Sequence, residues 1–112
     1  MKVQDISSQN FKGSVIFIDR YGKVANKTMR DELTKLGANL PKLDEIVSKK
    51  SYDLYISEKS MKEHWLLGIS THQEPKNARS YYVAKTLSYY LTEAAQEVME
   101  AFESLAKNVI KN

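Results

Sequence analysis

His64 and His72 are the only histidines, and Glu63 and Glu74 lie near them. Imidazole and carboxylate are ligand types for divalent metals. The pair lacks the i, i+4 spacing of a helical zinc motif, and with no cysteine there is no thiolate to complete a set. The expectation is two surface or half-buried imidazoles, no metal and no cofactor. Four glycines are scattered at 13, 22, 37 and 68, so neither a phosphate-cradling loop nor a nucleophile elbow is present. No other local motif assembles a nucleophile with a base, and the chain is read as non-enzymatic. The tyrosine pairs Tyr81/Tyr82 and Tyr89/Tyr90, with Arg79 and Lys85 nearby, could stack bases beside phosphate-binding charges. Neighbouring residues point in different directions on a helix or a strand. One tyrosine of each pair packing inside, with the other at the rim, is the simpler account. Trp65 is a core or interface anchor. Lys49 and Lys50 sit between serines in "VSKKSYDLYIS", as a solvated turn or a phosphate contact.

The rest of the composition bounds the class. With 112 residues, one domain is the natural reading. Charged residues make up 28% and apolar ones 42%, which fits a globular chain. The absence of cysteine favours a reducing compartment, and no signal peptide or membrane-length apolar run is evident. A cytoplasmic location follows, or a nuclear one in a eukaryote. The formal charge is +3, with 17 bases against 14 acids. Residues 1–60 carry 11 basic and 8 acidic side chains, and residues 61–112 carry 6 of each. The excess is N-terminal but scattered, unlike the concentrated charge of a dedicated nucleic-acid binder.

These residues must be positioned by elements legible in the pattern. Residues 1–10 read as a polar lead-in, and 11–112 as a single α/β domain. "VIFI" at 15–18 is a continuous apolar run suited to a strand covered on both faces. "NKTMRDELTKLGANL" predicts a helix capped by Asn26 or Thr28, with Met29, Leu33 and Leu36 as one stripe and Gly37 as its stop. Pro41 either opens a short helix through Leu43, Ile46 and Val47 or precedes a strand. "YDLYIS" reads as a strand. "EKSMKEHWLLGIST" is open between a short helix and a strand in "HWLLGIST". "ARSYYVAKTL" reads as a helix, and "SYYLTE" as a short strand. The last helix is the clearest: Thr92 as cap, and Val98, Phe102, Leu105 and Val109 on one stripe. Acids lie early in it and lysines late, matching the macrodipole.

The order of these elements resembles a BRCT domain, most of all the single copies of bacterial NAD-dependent DNA ligases. Gly13 before strand one, Leu36, Gly37 and Ala38 in "KLGANL", Val47 to Ile56, and "VAKTLSYYLTEAAQEVMEAF" carry the resemblance over about residues 11–105. It implies a small, mostly parallel four-stranded sheet flanked by helices, with strand one inside the sheet beside strand two. It also implies a long C-terminal amphipathic helix, in which Val98 or Phe102 takes the place of the family's tryptophan. The family's phosphate lysine corresponds to Lys76 or Arg79. Ile18 and Asp19 stand where the family has Ser/Thr-Gly, and Asp19 would repel a phosphate. Phosphopeptide binding is therefore not expected.

What the resemblance implies is a non-catalytic interaction module. It would dock a protein partner or a DNA end in a replication or repair assembly. Lys12, Arg20, Lys23, Lys27, Lys49, Lys50, Lys76 and Arg79 are the candidate contact charges. The alternative is a small stand-alone adaptor or inhibitor that binds a protein through Trp65, Tyr81 and Tyr89. A homodimer sealed by the C-terminal helix is a third arrangement. No membrane partner is expected.

Overall fold

The computed structural model describes residues 12–58, 62–70 and 81–111, the last six as backbone only. Strand β1 is Val15–Ile18. The pleat splits its apolar run: Val15 and Phe17 are buried, while Ile16 and Ile18 are half-buried. One face is therefore covered and the other only partly.

Helix α1, Asn26–Lys35, buries Met29 and Leu33. Neither predicted cap starts it. Ala25 holds the cap position without a side-chain bond. The Asn26 amide oxygen instead accepts the Phe17 N–H at 3.0 Å, so it serves the sheet. The predicted stop is present. Gly37 has φ +96°, Gly37 N–H donates to the Thr34 carbonyl at 3.0 Å, and Ala38 N–H donates to the Leu33 carbonyl at 3.0 Å. These two bonds satisfy carbonyls at the helix end. The same cap turns Leu36 outward, so it leaves the predicted buried stripe. Helix α2, Leu40–Val47, settles the Pro41 alternatives: the proline lies in the first turn, and the Asn39 side chain accepts the Lys42 N–H at 3.2 Å.

Strands β2 (Asp53–Ser57), β3 (His64–Ser70) and β4 (Tyr81–Ala84) complete a sheet of order β1-β2-β3-β4. Only β1 and β2 pair in parallel; β2 with β3 and β3 with β4 are antiparallel. The sheet is thus mixed, which corrects the mostly parallel expectation. A parallel neighbour needs a crossover, and among the described residues only the β1–β2 connection contains helices. β1 also lies at the edge of the sheet rather than inside it. In both respects the topology departs from what the BRCT resemblance implies.

Residues 81–84, predicted helical, form β4 because Tyr82 and Val83 pair with Leu66 and Trp65. Tyrosine and valine suit a pleated surface, and the available partner strand overrides the helical spacing. A 3-10 helix, Lys85–Tyr90, follows in place of the short strand predicted there. It leads directly into α3, Leu91–Lys111. Thr92 is therefore inside the first turn. Its hydroxyl donates to the Asn39 carbonyl at 3.3 Å, fastening α3 to the α1–α2 connection.

The three helices share one face of the sheet. Phe17, Leu54, Ile56, Leu67, Ile69 and Trp65 meet Leu33, Leu43, Leu91, Val98 and Met99 in one cluster. Cross-strand partners point to the same side of a sheet. Ile16, Ile18, Tyr55, Leu66 and Tyr82 are therefore on the opposite face, where they are half-buried or exposed.

Candidate protein-interaction surface

Four exposed tyrosines, Tyr81, Tyr82, Tyr89 and Tyr90, lie on β4 and the 3-10 helix that leads into α3, whereas the exposed Tyr21 stands apart in the turn between β1 and α1. Tyr81 and Tyr90 come from different elements, yet both hydroxyls donate to one carboxylate. Tyr81 reaches Glu97 Oε1 at 2.9 Å and Tyr90 reaches Oε2 at 2.7 Å. These bonds hold the Glu97 carboxyl below its ordinary range, Tyr90 contributing most and Tyr81 next. Reciprocally, bonding to the ionised carboxylate raises both phenols above their ordinary value. Glu93 and Glu100 are also exposed on α3, one turn to either side of Glu97. The surface therefore presents fixed aromatic rings around negative charge.

Tyr89 extends it and is 64% exposed. Its backbone lies against Gly37: a Cβ built on Gly37 would sit 3.4 Å from Tyr89 Cβ. The exposed Leu36 immediately precedes Gly37 in the chain. Tyr82, 52% exposed, stands on the opposite side of β4. The rule that one tyrosine in each pair is buried fails here, since all four are exposed. Both pairs lie at the margin of the fold, on an edge strand and a 3-10 turn.

Trp65 is not part of this surface; it is 0% exposed. β3 alternation points it into the helix face, where Nε1 donates to Ser88 Oγ at 2.8 Å. Lys85 lies over its ring at 4.6 Å and pairs with Glu58. It is a core anchor, which corrects its assignment as a binding hot spot.

The candidate contact charges are dispersed. Arg20, Lys23 and Lys27 are exposed around the turn between β1 and α1. Lys12 and Lys49 are exposed near the opposite end of β1, where Gly13 packs on the Val47 and Tyr52 carbonyls. Lys50 is committed to Glu103 at 2.8 Å. The same carboxylate accepts the hydroxyl of buried Tyr52, whose ring meets Phe102 edge-on at 4.9 Å. Lys50 is therefore a tie between α3 and the turn before β2. Lys76 and Arg79 lie outside the described residues, as does His72. Asp19 accepts the backbone N–H of Tyr21 and Lys23 at 2.9 Å each, so it closes its own turn. His64 Nδ1 is buried and has no partner among the described residues. Among those residues no group of three or more histidine or carboxylate side chains is placed to hold a metal. No helix among them is long and apolar enough to cross a membrane.

Glu97 and Leu36 were not singled out by sequence as interface residues, and Tyr82 and Tyr90 entered only as members of the tyrosine pairs weighed for base stacking. Tyr90 and Glu97 do carry a signal, a seven-residue spacing that places both on one helical face. Comparison with known proteins finds no family model, no curated protein and no solved structure that matches this chain.

Proposed function

We propose that this chain is a non-catalytic interaction module, a small adaptor or inhibitor that docks a protein partner through its tyrosine surface. The observation that carries this reading is the pair Tyr81 and Tyr90 bonded to one Glu97 carboxylate, with the exposed Tyr89 next to Tyr90 in the chain and packed against Gly37. Tyrosines held by hydrogen bonds offer large contact areas at low entropic cost, and such residues dominate binding hot spots. The acids on α3 favour a partner that brings basic side chains to an apolar or aromatic contact. A second reading, docking of a DNA end in a replication or repair assembly, draws support from Arg20, Lys23 and Lys27 exposed around one turn. The mixed sheet and the edge position of β1 weigh against the family resemblance behind it.

Affinity capture with the full chain, followed by titration of the purified captured protein, tests the first reading. Tyr89→Ala with Tyr90→Ala should weaken binding by about tenfold or more. Arg20→Glu with Lys23→Glu should change it by less than about twofold. The reverse pattern, with affinity for a DNA end falling steeply as salt rises, would instead support the DNA reading. A chain that sediments as a dimer and dissociates on Tyr89→Ala would assign the surface to a second copy.

A further inference from the structure

The two edges of the sheet are finished differently. On β1 the outward groups of Phe17 are taken by the returning chain. Phe17 N–H donates to the Asn26 side chain at 3.0 Å, the Phe17 carbonyl accepts Ala25 N–H at 2.9 Å, and Ile18 bridges Val24. On β4 the outward groups are not so taken. Lys85 N–H donates to the Glu63 carbonyl at 2.9 Å, which makes residues 63 and 85 a hydrogen-bonded pair. Antiparallel pairs alternate between bonded and non-bonded. By the observed register, Trp65–Val83 and Leu67–Tyr81 are then bonded, and His64–Ala84 and Leu66–Tyr82 are not. The N–H and C=O of Tyr82 and Ala84 therefore point away from β3. Among the described residues nothing else meets them. A row of unpaired backbone groups is a template for another strand.

The side chains flanking this edge say what would fit. On the helix face an added strand would lie beside Tyr81, and hence beside Glu97. On the opposite face it would lie beside Tyr82, whose cross-strand neighbour is Leu66. A second copy adding its own β4 about a two-fold axis would bring the acids of one α3 toward those of the other, which is unfavourable.

We propose that the free edge of β4 accepts an extended segment of a protein partner as a fifth strand, one whose side chains alternate between cationic and apolar. The cationic set lies on the helix face against Glu97 and the Tyr81 ring, and the apolar set on the opposite face against Tyr82. This deepens the docking role proposed above and rests on it.

The test uses the full 15N-labelled chain and the capped heptapeptide Val-Arg-Val-Arg-Val-Arg-Val. Two further versions are N-methylated, one on the arginine nitrogens and the other on the valine nitrogens. In a strand, only one of these sets faces β4. Binding should therefore be abolished by one methylated set and largely retained with the other. At saturation, amide exchange at Tyr82 and Ala84 should slow by about tenfold or more. Glu97→Gln should weaken binding roughly two- to fivefold, as for an exposed charge contact. No binding at about millimolar peptide overturns the proposal. So does equal binding of both methylated versions, which marks adsorption by charge alone, or unchanged exchange at Tyr82 and Ala84. If a captured partner depends on Tyr89 and Tyr90 while those two amides still exchange freely, strand addition fails and tyrosine docking stands. If the peptide binds at the edge and Tyr89→Ala with Tyr90→Ala does not affect the captured partner, the docking role itself fails.

Discussion

Gly68 and Tyr55 form a cross-strand pair on the open face of the sheet, and the tyrosine ring occupies the space a side chain at 68 would need. A Cβ on Gly68 would lie 2.3 Å from Tyr55 Cζ and Oη and 2.8 Å from Cε2. The Gly68→Ala substitution must therefore displace the ring. Tyr55 is half-buried, so its displacement returns roughly 50–80 Å² of apolar surface to water, a fraction of what a tyrosine buries. At about 25 cal/mol per Å² the cost is roughly 1.3–2 kcal/mol. Alanine is better than glycine inside a strand by roughly 0.5–1 kcal/mol. The net expectation for Gly68→Ala is a destabilisation of about 1 kcal/mol. Without the ring the sign reverses: in a Tyr55→Ala background the same change should stabilise by roughly 0.5–1 kcal/mol. The double-mutant cycle should then give a coupling of roughly 1.3–2 kcal/mol. Urea unfolding followed by Trp65 fluorescence measures it, because Trp65 is the only tryptophan and is fully buried. A coupling below about 0.5 kcal/mol would refute the claim that the ring and the glycine exclude one another.

Gly13→Ala should be worse, because a Cβ there meets backbone: the Tyr52 carbonyl at 2.0 Å and the Val47 carbonyl at 2.8 Å. Neither can swing aside, and a loss of about 3 kcal/mol is expected in thermal or urea unfolding. A variant within about 0.5 kcal/mol of the parent would contradict this packing. Ser88→Ala leaves the buried Trp65 Nε1–H without its acceptor, and should cost roughly 1–3 kcal/mol. Pairing it with Trp65→Phe should recover part of that loss, as the orphaned donor is removed. Glu103 makes stability pH-dependent. Burial pushes its carboxyl up, but bonds from Lys50 and Tyr52 outweigh burial and leave it below the ordinary range. Its contribution is therefore present above the unfolded carboxylate value of about 4.3 and is lost as pH falls through the lower folded value. Glu103→Gln should flatten the decline in melting temperature between about pH 6 and about pH 3. An unchanged profile would argue against the Lys50–Glu103–Tyr52 tie.

Local physics was enough to place several elements. The apolar run at Val15–Ile18, the Gly37 stop after α1 and the stripe through Val98 and Phe102 each follow from periodicity, caps or dipole. Those signals act within a few residues, so one sequence window contains them. The alternation Leu54/Ile56 against Tyr55 was equally legible, and β2 has it. What the chain alone left open or pointed wrongly depends on partners far along it. "HWLLGIS" becomes a strand, and "YYVA" leaves its helical spacing, because each finds a neighbour to hydrogen-bond. The orientation of the sheet followed from which connections carry helices, and the helical reading of residues 78–87 obscured that. Trp65 looks the same as an anchor inside or outside; only its facing on β3 and the Ser88 hydroxyl decided it. Asn26 could have capped a helix, but the unpaired Phe17 N–H claimed it. The candidate surface was the least legible of all. Tyr81, Tyr90 and Glu97 come from a strand, a 3-10 turn and a helix, and only tertiary packing brings two hydroxyls to one carboxylate. The sequence by itself determined where the chain could turn, coil and pleat, because those preferences are local. Which strand was left with a free edge, and which rings stood around it, depended on long-range pairing that only the folded chain specifies.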